Sequence, residues 1–237
     1  MQYLANPCSP SVVTAMHARQ IGFIDTPAQG NKRPAGVVWC ADNGCFGKGW
    51  PGSEKWLAWL EKNAHAAADC LFATAPDVVG DAAATLDRSA PFLPKIRALG
   101  YPAALVAQNG LEDLEVPWDT FDVLFIGGSL ECLPCRFVWP SDRKPKRGER
   151  CPLCWRMLRE WKLSPAAAAL VREAKARGKW VHMGRVNSGR RYQYAHDIGC
   201  DSVDGTYLTF GANINLPKLL AWSGVENQQS LFAELSA

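Results

Sequence analysis

Four aspartates stand at the borders of short apolar runs. Asp42 closes Val37-Val38-Trp39-Cys40-Ala41, Asp77 follows Leu71-Phe72-Ala73-Thr74-Ala75-Pro76, and Asp201 and Asp204 flank Ser202-Val203. A carboxylate cannot pack, and burying it unpaired is costly. In a barrel of parallel strands, the carboxyl ends of the strands carry the chemistry. Carboxylates gathered there could act as nucleophile and as general acid or base. Taken singly, Asp42 and Asp77 also suit helix caps or Asx-turns, and Asp201 suits a turn or a partner to the others.

A second set of residues has the spacing of metal ligands. Cys132-Leu133-Pro134-Cys135 and Cys151-Pro152-Leu153-Cys154 form a C-x₂-C…C-x₂-C pattern with fifteen residues between the pairs. Four thiolates in that pattern suit a tetrahedral Zn²⁺ site; the alternative is two chance pairs of surface thiols. The segment 130–160 therefore reads as a zinc-binding insertion. It is too short to bury a core of its own, so the metal supplies most of its folding energy. Its interior, Arg143-Lys144-Pro145-Lys146-Arg147-Gly148-Glu149-Arg150, is a basic hairpin tip. Between Cys132 and Arg159, eight basic and two acidic residues give a net +6, against −3 for the rest of a chain whose total is +3. So local a positive field points to contact of Arg143, Lys144, Lys146 and Arg147 with a nucleic-acid backbone rather than to a merely solvated face. Arg185 and Arg190 stand where barrels often hold phosphate, and a plain surface role for them is equally open.

These groups need a scaffold, and eight candidate strands can be read: Gln2–Asn6, Gly22–Thr26, Val37–Ala41, Cys70–Ala75, Ala103–Ala107, Val123–Ile126, Trp180–Gly184 and Ser202–Thr206. Several are continuous apolar runs, as expected of parallel strands buried on both faces. Helical patterns lie between them over Ser11–Arg19, Ser53–Ala68, Asp81–Leu99, Pro165–Arg177 and Ser188–Ile198. Ser53 and Ser164-Pro165 suit helix starts, and Gly100, Gly178 and Gly199 suit helix stops. The alternation predicts an α/β fold, first a compact (β/α)₈ TIM-like barrel with a zinc-ribbon insertion after the sixth strand. An open doubly wound sheet is the alternative and needs fewer strands.

The 237 residues suit one domain carrying that insertion, and 48% hydrophobic residues suffice for a sizeable core. No apolar run reaches the length of about 18 residues needed to span a membrane, and Met1–Met16 lacks the pattern of a signal peptide. Nine cysteines without such a signal read as cytoplasmic thiols or metal ligands. His182 and His196 read as ordinary strand and helix residues, and Trp56, Trp59 and Leu60 as a helix face packed on the barrel.

Taken in order, the strand-end residues carry a further signal: Asp42 to Gly47, Asp77, Asp87-Arg88-Ser89, Gln108, Gly127-Gly128, Met183-Gly184 and Asp204-Gly205-Thr206. This series resembles the tRNA-guanine transglycosylase family, enzymes that exchange guanine for a 7-deazaguanine. The family's zinc site is C-terminal, whereas Leu208–Ala237 contains no cysteine, and the chain is much shorter than a typical tRNA-modifying member. Both departures are similar to the compact branch of phages and bacterial DNA-modification clusters, which puts DNA ahead of tRNA as partner. The resemblance implies Asp204 as nucleophile toward C1′ and Asp42 as acid–base group. It implies that Asp77 reads the N1–H and 2-amino edge of guanine, with Gln108 and the Gly128 amide reaching O6. Met183 would then lie against the base, and Gly127 and Gly128 would allow close backbone approach, although Met183 is most simply a core residue and the two glycines suit a tight turn. Guanine and a 7-deazaguanine such as the 7-cyano form would be the exchanged bases, Zn²⁺ the one cofactor, and a catalytically inert nucleic-acid-binding barrel the rival reading.

Overall fold

The computed structural model describes residues 1–47, 49–140, 143 and 148–224. Six strands come first: β1 (Gln2–Ala5), β2 (Gly22–Asp25), β3 (Trp39–Ala41), β4 (Cys70–Thr74), β5 (Ala103–Ala107) and β6 (Val123–Ile126). Three short strands follow, β7 (Leu130–Cys132), β8 (Phe137–Val138) and β9 (Arg159–Glu160), and then β10 (Trp180–Met183) and β11 (Ser202–Asp204). Strands β1–β6, β10 and β11 pair in parallel in the order β1-β11-β10-β6-β5-β4-β3-β2, and β2 pairs back onto β1. The circle is closed, so the protein is an eight-stranded α/β barrel of the TIM type and not an open sheet. All eight strands fall within the stretches expected from the sequence.

Side chains alternate strictly along these strands, as a period of two requires. Leu4, Ile24, Cys40, Phe72, Ala104 and Val123 point inward and pack with Phe125. Their neighbours Ala5, Phe23, Trp39, Ala41, Ala73, Leu105, Leu124, Ile126, Val181, Met183 and Val203 point outward and join the larger core beneath the helices. Inside the barrel the ring of His182 packs 4.9 Å from that of Phe72 and 4.5 Å from that of Phe125, forming a floor.

The helical layer comprises α1 (Pro10–His17), α2 (Ser53–Asn63), α3 (Ala82–Ser89), α4 (Leu93–Ala98), α5 (Pro165–Ala176), α6 (Gly189–Asp197) and α7 (Ala212–Ser223). The side chains of Asp81, Ser164 and Ser188 accept from the backbone amide three residues on and cap α3, α5 and α6. Two expectations need correction. Ser53 is the first helical residue and not the cap, because Gly52 occupies the cap position without a side-chain bond. The single helix expected over Asp81–Leu99 is two, α3 and α4, since Pro91 between them cannot donate to the helical ladder. No helix among the described residues is long and apolar enough to cross a membrane.

The insertion leaves the barrel after β6. Strand β7 pairs antiparallel with β8 on one side and with β9 on the other, and an isolated bridge joins Arg150 to Met157. Cys132, Trp139, Cys151 and Leu158 form a small buried cluster of their own, separate from the barrel core.

Candidate active site and metal centre

The barrel's parity decides which strand-end residues share a space. Cys40 points inward, so Asp42 does too; Ser202 and Asp204 are likewise two apart, as are Val106 and Gln108. Asp77 reaches the same space by another route, through Pro76 and the loop after β4. Asp42, Asn43, Thr74, Asp77, Val106, Gln108, Phe125, Gly128, Gly184, Arg185 and Asp204 line one cavity of about 340 Å³ at the carboxyl ends of the strands.

Each carboxylate has a distinct environment. Asp77, only 5% exposed, receives Asn43 Nδ2 on Oδ1 at 2.9 Å and Gln108 Nε2 on Oδ2 at 2.6 Å. The Cys45 thiol is a third hydrogen-bond partner of this carboxylate. Burial raises its pKa, against the lowering effect of those amides. Gln108 is fixed in turn, because its Oε1 accepts from the amides of Gly80 at 2.8 Å and Gly128 at 3.0 Å. Those two backbone donors leave Nε2 no choice but to face Asp77.

Asp204 is held by a buried relay. Trp180 Nε1 donates to Ser202 Oγ at 2.9 Å, Ser202 Oγ lies 2.8 Å from His182 Nδ1, and His182 Nε2 lies 3.0 Å from Asp204 Oδ1. A carboxylate only accepts, so Nε2 carries the proton. Nδ1 pairs with the Ser202 hydroxyl, so every polar atom of the relay has a partner. The effect is to aim Asp204 across the floor. Beside it, Gly205 has no room for a Cβ, which would meet Asn187 Oδ1 at 2.4 Å and the Tyr3 hydroxyl at 2.6 Å.

Asp42 is strongly disturbed in its acidity. Burial, then the charges of Asp204 and Asp77, push its pKa up to about 7. Two carboxyl groups in one cavity, one of them poised near neutrality, are a usual basis for assigning acid and base roles. The shift carries a cost in stability. The folded state keeps a proton that the unfolded chain, with a pKa near 4, has already lost, so the Asp42 contribution becomes less favourable as pH rises from about 4 to about 7. Asp42→Asn should therefore stabilise the protein at pH 8 by on the order of 2 kcal/mol, about 5 °C in Tm, and by much less at pH 5. Melting curves of the two proteins at both pH values check this; a difference independent of pH would contradict it.

Some expected site residues lie elsewhere. Met183 is fully buried in the outer core, because it shares the parity of Val181; the inward residue of β10 is His182. Gly127 is not in the cavity wall, and a Cβ there would strike Val106 Cγ1 at 2.8 Å and approach Gln108 Nε2 at 3.2 Å. Gly128 does line the cavity, but its missing Cβ makes room for the Trp161 ring, 2.6 Å away, and its φ of +82° is the left-handed region that glycine tolerates. The Gly128 amide is already given to Gln108 and does not face a ligand. Arg190 is exposed at the start of α6. Lys144, Lys146 and Arg147 lie outside the described residues, and Arg143 sits with its guanidinium 5.4 Å from the Trp139 ring.

Other groups at the site were not singled out beforehand. Asn43 is one, and His182, read from the sequence as an ordinary strand residue, instead holds Asp204. Lys162 is a third: only 1% exposed, it donates from Nζ to the carbonyls of Gly184 at 2.7 Å and Arg185 at 3.2 Å, and Glu160 Oε2 lies 3.4 Å away. Burial and the neighbouring Arg185 push its pKa down to about 8. The clamp supports Arg185 in its left-handed conformation, with φ at 60°. The Arg185 guanidinium then donates to the Gly128 carbonyl at 2.6 Å and lies 4.1 Å from the Phe46 ring. Arg185 thus lines the mouth of the cavity.

No family model matches the chain, and no curated protein matches it. Among solved structures, the chain is similar to one described as phosphoribosyl anthranilate isomerase from Thermus thermophilus. The identity is 11% and the TM-score 0.41, with 88% of each chain covered. Nothing of that isomerase's chemistry is carried over, and the barrel is read from its strand pairing.

The four ribbon cysteines are free thiols whose Sγ atoms all lie within 4.8 Å of one another. The Sγ–Sγ separations are 3.3 Å for Cys132–Cys154, 3.4 Å for Cys135–Cys151 and 3.7 Å for Cys135–Cys154. Ligands about 2.3 Å from a tetrahedral Zn²⁺ stand about 3.8 Å apart, so the cluster has the size of such a site. The two pairs also fold alike. The amides of Arg136 and Trp155 return to the carbonyls of Cys132 and Cys151 at 2.8 and 2.9 Å, and both residues are left-handed, with φ of 58° and 60°. Two equivalent knuckles facing each other give a four-sulfur cluster compatible with a closed metal site.

Proposed function

We propose that the protein is a guanine transglycosylase that exchanges a guanine of nucleic acid, DNA in preference to tRNA, for a 7-deazaguanine. The observation that carries this reading is the meeting of Asp42, Asp77 and Asp204 in one cavity of about 340 Å³. That space is of a size to take a small ligand, and it combines an edge-reading carboxylate with two more carboxylates in different environments. The resemblance of the strand-end series to the tRNA-guanine transglycosylases supports the same roles, residue by residue, for Asp42, Asp77 and Asp204.

In this reading Asp77 accepts from the N1–H and 2-amino group of the base. Asn43 and Gln108 hold it in plane, and the second Nε2 proton of Gln108 is the donor left for O6. Asp204 attacks C1′ as the C1′–N9 bond breaks, and the bonding electron pair leaves with the base, which takes a proton from the Asp42 carboxyl. The sugar is now an ester of Asp204. An incoming 7-deazaguanine gives its N9 proton to Asp42, attacks C1′ and frees Asp204. Two displacements retain the configuration at C1′, as in retaining glycosidases. Cys132, Cys135, Cys151 and Cys154 would hold a Zn²⁺ in the ribbon, which would supply structure only, since four protein sulfurs leave no open position.

The test is a base-exchange assay with labelled guanine against DNA and tRNA. Label entering DNA supports the reading, label entering tRNA alone moves the substrate to tRNA, and label entering neither leaves an inert nucleic-acid-binding barrel.

A further inference from the structure

A second cavity, of about 420 Å³, lies between the barrel mouth and the zinc ribbon. It shares Phe46, Arg185 and Asn187 with the first, so the two are contiguous. Its walls come from separate parts of the chain. Trp139, Pro140 and Arg143 belong to the ribbon, Glu160 and Lys162 to the returning strand and the turn after it, and Arg191 to α6. The charge in it is one-sided, with Arg143, Lys162, Arg185 and Arg191 facing the single carboxylate of Glu160. That carboxylate is engaged on both oxygens, by Arg191 on Oε1 and by Lys162 on Oε2. Mutual repulsion among these cations is felt within the cleft, since Arg185 and Arg191 both lower the pKa of Lys162. The remainder of the wall is Phe46, Leu130, Trp139 and Pro140 with two small polar contributions, Ser129 and Asn187.

An excess of three positive charges on a largely apolar wall, opening into a cavity that reads a base, has one obvious complement. We infer that this cleft seats the phosphodiester next to the target nucleotide, its sugar against Trp139 and Pro140 and its phosphate between Arg143 and Arg191. The inference rests on the nucleic-acid reading above and adds a subsite to it. A phosphate here is bound in a cleft of low dielectric and not on an open face, where its interactions would be weaker. It would also fix the distance between ribbon and target, making the ribbon a clamp on the strand beside the reacting nucleotide. Glu160 serves in this arrangement as a spacer that keeps Arg191 and Lys162 from repelling each other before the substrate arrives.

The experiment places one uncharged methylphosphonate linkage at successive positions around the target guanine of a short single-stranded DNA and measures binding to the full chain. In the wild type, neutralising one linkage immediately beside the target should weaken binding about tenfold, the worth of one charge-assisted contact, and linkages farther out should matter less. In Arg143→Gln/Arg191→Gln the same substitution should cost under about twofold, and the salt slope for the unmodified DNA should fall by roughly one. Arg143→Gln alone, at an exposed side chain, keeps the test standing if the double variant does not fold, and half of the effect is expected from it. DNA that binds with no position-dependent penalty, or with the same penalty in wild type and variants, overturns the subsite and leaves base exchange in place. A penalty that vanishes in the variants without any exchange of base overturns the exchange reading and leaves the subsite. Failure of every oligonucleotide to bind overturns both.

Discussion

Asp204→Asn is expected to reduce base exchange on the order of 10⁴-fold and to remove the covalent protein–DNA complex, while leaving the fold intact. The amide is close in shape to the carboxylate, and its oxygen can still accept from His182 Nε2, which stands 3.0 Å from Asp204 Oδ1 in the wild type. What it cannot do is supply an anionic oxygen to C1′. The loss should fall on the chemical step and spare the affinity for DNA, since Asp204 is not among the groups that hold the strand. The substitution also removes a charge that raises the pKa of Asp42. The pH at which Asp42 titrates should therefore fall in the variant, and its thermal stability at pH 8 should not fall. Denaturing gels of protein incubated with labelled DNA read the covalent complex directly. If Asp204→Asn still forms it and Asp42→Asn does not, the two roles are exchanged.

Much of this site can be read before any coordinates, and the parts that cannot share a physical cause. The strands are legible because buried parallel strands are continuous apolar runs, and each meets a Gly, Asp or Asn at its end or within the next three residues. Asp42 and Asp204 are legible because a carboxylate beside such a run has no packing role. Parity is harder. His182 and Met183 are neighbours in an apolar strand, and only pairing with β11, whose Ser202 and Asp204 share one face, shows that the histidine points inward. Lys162 has no local signal at all. Its partners are the carbonyls of Gly184 and Arg185, twenty-two and twenty-three residues away, and the contact exists because the ribbon returns to the barrel at that point. The same holds for Gly128. Its glycine is dictated by the Trp161 ring on the far side of the insertion, not by anything that enters the cavity. The split of α3 from α4 was visible in Pro91, whereas α7 was hidden by Pro217 inside it.

Metal removal should dismantle the ribbon and leave the barrel. The purified protein is expected to hold one zinc per chain, and Cys132→Ser/Cys151→Ser none. The asymmetry follows from where each part buries its apolar surface. The barrel has a continuous core from Tyr3 to Leu219. The ribbon has Cys132, Trp139, Cys151 and Leu158, and half of that small cluster is metal-ligand cysteine. Such a core does not offset the conformational entropy of about thirty ordered residues. Zinc binding in comparable small modules supplies on the order of 10 kcal/mol, and without it they unfold. Hydrogen exchange should accordingly lose protection over 130–158 in the cysteine variant and keep it in β1–β6, β10 and β11. A second effect should appear at the mouth. Strand β9 delivers Glu160, and the turn after it delivers Lys162, which holds the Gly184 and Arg185 carbonyls. With β7 no longer pairing β9, that clamp should loosen and Arg185 should leave Phe46, so DNA binding should fall more than loss of the ribbon's charges alone would predict. Arg136→Gln/Arg150→Gln/Arg156→Gln, which removes three of those charges and leaves the sulfur ligands in place, supplies the comparison. Equal losses in the two variants would mean that the ribbon acts through its field alone, and unchanged protection over 130–158 in the zinc-free protein would mean that the metal is not what holds it.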